Sequence, residues 1–196
     1  MAFWTDQKGG IEPKRAFRWI LSIPAGGGTA NDTLPSWIVK SVERPTISIA
    51  ESEHAFLNHT FYYPGRVTYS EVSFVLVDPI DLDAAWRVLK LIEESGYTIP
   101  TATNVSTSAG RSTISKKESV EALVQMQLTQ VAADGTSLEK WTFINPWIKE
   151  VSFSDLSYED DALTDISVQV RFDRCIYTPN QNQVERTTEK TPLFEG

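Results

Sequence analysis

The stretch "FINPWIKEVSFSDLSYEDD", residues 143–161, decides the fold. Trp147, Ile148, Val151, Phe153 and Leu156 supply enough apolar surface for a core, yet the segment closes on Glu159, Asp160 and Asp161. Such a run, bounded by Asn145-Pro146 on one side and acids on the other, reads as one arm of a stiff β-hairpin whose turn is acidic. Its partner is "LTDISVQVRFDRCIY", residues 163–177. On the other side, "SVEALVQMQLTQV" (119–131) and "KWTFI" (140–144) flank "AADGTSLE", a hairpin turn built on Asp134-Gly135. In residues 120–128 a period of two predicts a strand with Val120, Ala122, Val124, Met126 and Leu128 on one face. Glu121, Gln125 and Gln127 then fall on the other.

Upstream, "RAFRWILSIP" (15–24) is the first strand candidate, stopped by Pro24. "AGGGTANDTLP" is a long flexible loop by composition, and "SWIVKSVERPTISIA" resumes extended structure with Pro45 at an edge or bend. "FYYPG" reads as ending in a Pro-Gly turn. "RVTYSEVSFVLVDP" reads as one strand, with Val72, Phe74 and Leu76 alternating against Glu71, Ser73 and Val75. One helix is expected at about 79–95, capped by Asp78, with Pro79 in its first turn and Gly96 at its stop. Leu82, Trp86, Leu89 and Ile92 would line its buried side. Residues 97–118 are Ser- and Thr-rich and read as a long loop. The sum is a mainly β domain, an antiparallel β-sandwich or open barrel of about seven strands with one flanking helix. It spans 15–177, between an N-terminal arm (1–14) and a polar tail (178–196).

Composition excludes several functions. The formal charge of -8 argues against a protein that grips nucleic acid through its net field. Cys175 is the only cysteine, so a CxxC motif and an intramolecular disulfide are impossible, and it reads as a buried small hydrophobe. His54 and His59 lack metal-ligand spacing, "PAGGGTAND" lacks the Lys of a phosphate loop, and "EDDALTD" lacks the spaced acids and glycine of a calcium loop. No catalytic residue, metal site or cofactor is expected. Neither an apolar leader nor a membrane-length run is present, so the chain is expected to be soluble and intracellular in origin. The N-x-[ST] matches at Asn31, Asn58 and Asn104 then carry no glycan.

Three segments, "LPSWIVKSVERPTISI", "YYPGRVTYSEVSFVLVDP" and "KWTFINPWIKEVSFSDLSYEDDALTDISVQVRFDRC", occur in an order that resembles the tail tube proteins of contractile-tailed bacteriophages. The resemblance covers roughly residues 15–177 and rests on apolar and turn patterns. It implies a hexameric ring whose subunits join their sheets into one continuous β-barrel, with rings stacking into a tube that DNA traverses. The implied partners are further copies of the chain and the sheath, tape-measure, baseplate and tail-terminator proteins. The implied location is the virion tail, made in the cytoplasm of the infected bacterium. It also implies that the arm, the segment Glu51 to Pro64 and the 97–118 loop bridge neighbours.

Contact candidates are Phe3, Trp4, Phe56, Tyr62, Tyr63 and Tyr97. Candidates for a neutral or negative lumen are Glu121, Gln125, Gln127, Asp165, Ser167 and Gln169, with Glu71 and Ser73 as weaker ones. Related rings occur in type VI secretion and extracellular injection systems. The rival class is a monomeric carbohydrate-binding sandwich using Trp37, Tyr62, Tyr63 and Tyr97 as an aromatic strip.

Overall fold

The computed structural model describes residues 13–24, 34–100, 113–159 and 161–179. Its core is made by two four-stranded antiparallel sheets. The first is ordered β1 (Trp19–Ser22), β6 (Gln127–Val131), β7 (Ser137–Ile144), β10 (Arg174–Pro179). The second is ordered β2 (Val39–Val42), β5 (Val72–Val77), β9 (Asp165–Arg171), β8 (Trp147–Phe153). The 143–161 stretch therefore forms the expected hairpin: β8 pairs with β9, and the connection between them exposes Glu159 and Asp161. The predicted alternation also holds on β5, where Val72, Phe74 and Leu76 are buried. They meet Val170, Val168 and Ile166 of β9 in register. Leu21, Leu128 and Phe143 of the first sheet close the same cluster, with Phe143 edge-on to Phe172 at 4.9 Å.

Ten strands are described where about seven were expected, because several predicted runs are broken: 36–50 gives β2 and β3, 140–156 gives β7 and β8, and 163–177 gives β9 and β10. Residues 66–79 split at Ser70–Glu71, so Tyr69 ends β4 (His59–Tyr69) and Val72 starts β5. Pro64-Gly65 is not a turn but lies inside β4, which pairs along its length with β3 (Ile47–Phe56). The reversal comes at Leu57-Asn58, where Leu57 takes φ 54°. At Asp134-Gly135 the expected turn is present, with Gly135 at φ 84° and Asp134 accepting from the Thr136 amide at 3.0 Å.

Two helices are described rather than one. Helix α1 (Ala84–Glu94) starts five residues later than predicted, since Asp83, at φ 43°, caps it by accepting from the Trp86 amide. Asp78 still contributes, accepting from the Ala84 amide at 2.8 Å. The buried face is Ala84, Val88 and Leu91, not the predicted Leu82, Trp86, Leu89 and Ile92. Small residues at 84 and 88 let the backbone sit close to the core, and Trp86, 53% exposed, instead carries Lys90 over its ring at 5.2 Å.

Helix α2 (Lys116–Leu123) occupies sequence read as the end of a loop and the start of a strand. Ser115 decides this: its hydroxyl accepts from the Glu118 amide and donates to the Glu118 carboxylate, which secures the first turn. Residues 101–112 of the predicted loop, 25–33, the arm as far as 12 and the tail from 180 lie outside the described residues. Strand β10 runs to Pro179, two residues past the predicted domain end.

Candidate assembly surface

The β3–β4 hairpin is a sheet of its own, and every residue from Ile47 to Thr68 is exposed. An isolated two-stranded ribbon is marginal in water, so its stability has to come from what covers it. One bulge interrupts its pairing. Ile49 pairs with Val67 and Glu51 with Pro64, so Gly65 and Arg66 together oppose Ala50 and β4 carries the extra residue. The alternation of β3 runs on unbroken while that of β4 shifts by one. Ile47, Ile49, Glu51, Glu53 and Ala55 therefore share a face with Tyr69, Val67, Pro64, Tyr62 and Thr60. Ser48, Ser52, His54 and Phe56 fall on the reverse face with Thr68, Tyr63, Phe61 and His59.

Gly65 is required in the bulge, since a Cβ there would lie 3.0 Å from the Ala50 carbonyl oxygen. Ile47, Ile49 and Val67 on one face, and Phe56, Phe61 and Tyr63 on the other, are each about half exposed or more. Over the two faces they present on the order of 600 Å² of apolar surface.

The ribbon face that carries Ile47 and Ile49 leads into a groove of about 610 Å³ at its root, walled by Val67 and Tyr69, Ile114, Trp147 and Phe172. Tyr69 packs on Phe172 with ring centroids 5.9 Å apart. Lys116 and Arg171 stand at this groove. Lys116 bonds both oxygens of Asp173, at 2.8 and 2.9 Å, and Asn145 donates to the same carboxylate. These hydrogen bonds hold the Asp173 carboxyl below its ordinary pKa.

The second sheet offers another surface. Its face away from the core carries Ser73, Val75 and Val77 on β5, Asp165, Ser167 and Gln169 on β9, and Glu150 and Ser152 on β8. The charges flanking it are largely paired: Lys40 to Asp165 at 2.6 Å and Lys149 to Glu71 at 2.6 Å. Strands β2 and β8 are its edges within the chain. The corresponding face of the first sheet carries Lys140 and Arg174 with Ile20, Ile176 and Gln127.

The lumen candidates thus separate. Asp165, Ser167 and Gln169 share one face, Gln127 lies on the other sheet, Glu121 is on α2 and Gln125 is in the connector to β6, so no common strand face joins those three. Of the contact candidates, Phe56 and Tyr63 share one ribbon face, Tyr62 lies on the other with Ile47 and Ile49, and Tyr97 follows α1. Phe3 and Trp4 lie outside the described residues. The rival aromatic strip does not form, because Tyr62 and Tyr63 face opposite ways and Trp37 sits on the Ser36–Ile38 turn before β2. Among the described residues no group of three His, Cys, Asp or Glu could hold a metal, and no helix is long and apolar enough to cross a membrane.

Sequence reading missed Glu139, a carboxylate 5% exposed at the end of the sandwich. Lys14 bonds it, Arg44 stands 3.8 Å away, and Trp141 and Tyr177 donate at 3.5 and 3.4 Å. Burial raises its pKa, but Lys14, then Trp141 and Arg44, outweigh that and hold it below the ordinary value. Its flanking residues, Leu138 and Lys140, give no local signal, since its partners come from positions 14, 44 and 177. Cys175 is half-buried against the core, and desolvation raises its thiol pKa, as an inert packing residue requires.

No family model and no curated protein matches the sequence. Solved structures do match the fold. A chain of the anti-feeding prophage baseplate, solved with 6-fold symmetrisation, aligns at TM-score 0.61 and 8% identity over 86% of this chain and 97% of that one. A chain of the anti-feeding prophage tube-terminating cap aligns at TM-score 0.59 and 13% identity, over 92% and 100%. A chain of the sheath-tube complex of an extracellular contractile injection system, in its extended state, aligns at 0.57 and 14%, over 86% and 93%. The protein has the fold found in the tube, cap and baseplate assemblies of contractile injection systems.

Proposed function

We propose that the protein is a ring-forming structural subunit of a tail tube: hexameric rings, stacked into the inner conduit of a contractile phage-type particle. It performs no chemistry. The single observation that carries this is the β3–β4 ribbon, exposed on both faces from Ile47 to Thr68, whose large apolar residues have no cover within the described chain. Burying ~600 Å² at about 25 cal/mol per Å² yields roughly 15 kcal/mol gross, the scale needed to offset the cost of association. The shared fold with chains of ring-bearing injection assemblies agrees with a second copy as the cover.

In this reading the second sheet lines the lumen, with its β2 and β8 edges joining those of neighbours. Ser167, Gln169, Ser73 and Ser152 then offer passing DNA hydroxyls and amides, and Asp165 is neutralised by Lys40. Such a wall releases no counterions and so does not hold the polymer. The first sheet, with Lys140 and Arg174, suits a lumen less well. Sheath, tape-measure, baseplate and terminator proteins are the partners this role requires, and the virion tail is its location.

A second reading is a ring of an extracellular injection particle, favoured by the near-complete overlap with the tube-terminating cap chain. Light scattering after gel filtration tests the shared claim. A species near six times 22.0 kDa is expected, converted to monomer by Phe61→Ser with Ile49→Ser without loss of fold. A wild-type monomer at every concentration refutes it. Particles purified with nuclease-protected DNA distinguish the phage from the DNA-free machine.

A further inference from the structure

We infer that the β8–β9 loop of one copy docks into the groove at the hairpin root of the next copy, making the ring-to-ring contact. This rests on the tube reading and specifies which surfaces meet. The loop and groove occupy opposite ends of the same strands. Asp165 of β9 borders the loop, and Arg171, six residues along at ~3.3 Å each, borders the groove, about 20 Å away. A contact between such ends is heterologous and repeats along one axis without closing.

The two ends are complementary. The loop exposes Leu156, Tyr158 and Leu163, none of which has a core to enter. The groove, of about 610 Å³, is in the size range of side-chain and ligand pockets and is walled by Ile114, Trp147, Phe172 and Val67. Charge points the same way. Residues 150–170 contain Glu150, Asp155, Glu159, Asp160, Asp161 and Asp165 and no Lys or Arg. Lys116 and Arg171 line the groove against one acid, Asp173, which is already tied to Lys116 and Asn145. Lys117, exposed on the same first turn of α2, stands 3.9 Å from the likewise exposed Glu121 and can exchange it for another acid. Leu156 and Tyr158 enter the groove, and Glu159 and Asp161 meet the Arg171 and Lys117 side. The acids at the turn thus have a partner of opposite sign in a second copy of the chain.

The test is a directed crosslink in the full chain. Tyr158→Cys and Ile114→Cys are combined in a Cys175→Ser background; positions 158 and 114 are exposed, so the fold is unaffected. Oxidation of the concentrated protein is expected to give a ladder of disulfide-linked multimers, absent from each single-cysteine control. In parallel, Glu159→Arg is expected to raise the concentration needed for stacking about tenfold while rings persist, with Arg171→Glu restoring it. Rings or tubes that form normally without a ladder, and that ignore Glu159→Arg, overturn the docking and leave the tube reading standing. Absence of any ring overturns both.

Discussion

Removing Lys14 should cost more stability than neutralising the carboxylate it serves. Glu139 is 5% exposed, and Lys14 is its one close cation among the described residues, with Arg44 at 3.8 Å and the Trp141 and Tyr177 donors at 3.5 and 3.4 Å. Lys14→Met leaves a buried anion with distant partners, a loss of about 2 kcal/mol once the half-exposure of Lys14 is discounted. Glu139→Gln leaves two cations, 48% and 70% exposed, that rehydrate readily, and should cost about 1 kcal/mol.

For a protein of this size the first change lowers Tm by roughly 4–8 °C. The pH dependence separates the causes. Because the folded-state pKa of Glu139 is depressed, its stabilisation is fully present above the unfolded value of about 4.3. It is lost as pH falls through the folded pKa. In Lys14→Met burial is opposed only by the weaker pull of Trp141 and Arg44, so that pKa rises, and the deficit is largest at neutral pH and shrinks toward acid. Urea unfolding at pH 7 and pH 4 measures both. An equal or larger loss for Glu139→Gln, or a deficit that does not change with pH, refutes the reasoning.

Three further outcomes are expected. Gly65→Ala forces the Cβ against the Ala50 carbonyl, costs about 1 kcal/mol of hairpin order, and lowers the oligomer fraction in gel filtration with little effect on the core. Ser115→Ala removes the cap of α2 and lowers stability by about 1 kcal/mol, read by thermal circular dichroism. Ser167→Lys with Gln169→Lys, on the proposed lumen face, slows DNA release from particles in a dye-exclusion assay while assembly proceeds; unchanged release counts against that face as the lumen.

What the sequence disclosed, and what it hid, follows from how local each cause is. Strands β5 and β9 were legible because burial on one face writes itself as alternation at 72, 74, 76 and 166, 168, 170. The Asp134-Gly135 turn was legible because its geometry needs those residue types. Helix α2 was hidden because Val120, Ala122 and Val124 also satisfy a period of two. The deciding signal was the Ser115 to Glu118 spacing, which was readable and passed over. The inward face of α1 is hidden because the sequence spaces its large residues, Leu82, Trp86, Leu89 and Ile92, along one side, whereas close packing on a sheet favours Ala84 and Val88.

Pro64-Gly65 mimics a turn, and only pairing to Ala50 across the hairpin reveals a bulge. Of the site, Phe56 and Tyr63 were found from their types. The exposed ribbon was not, because the extra residue at Gly65-Arg66 shifts the alternation of β4 in mid-strand. Glu139 depends on three segments distant in the chain, a relation no local pattern records.

The central claim is that this fold exists to close into rings and stack. Negative-stain electron microscopy of the purified protein, first dilute and then concentrated, tests it most directly. Six-fold rings at low concentration that join into hollow tubes as it rises are the predicted images. Featureless single particles of monomer size throughout, with the hairpin intact, would contradict the account.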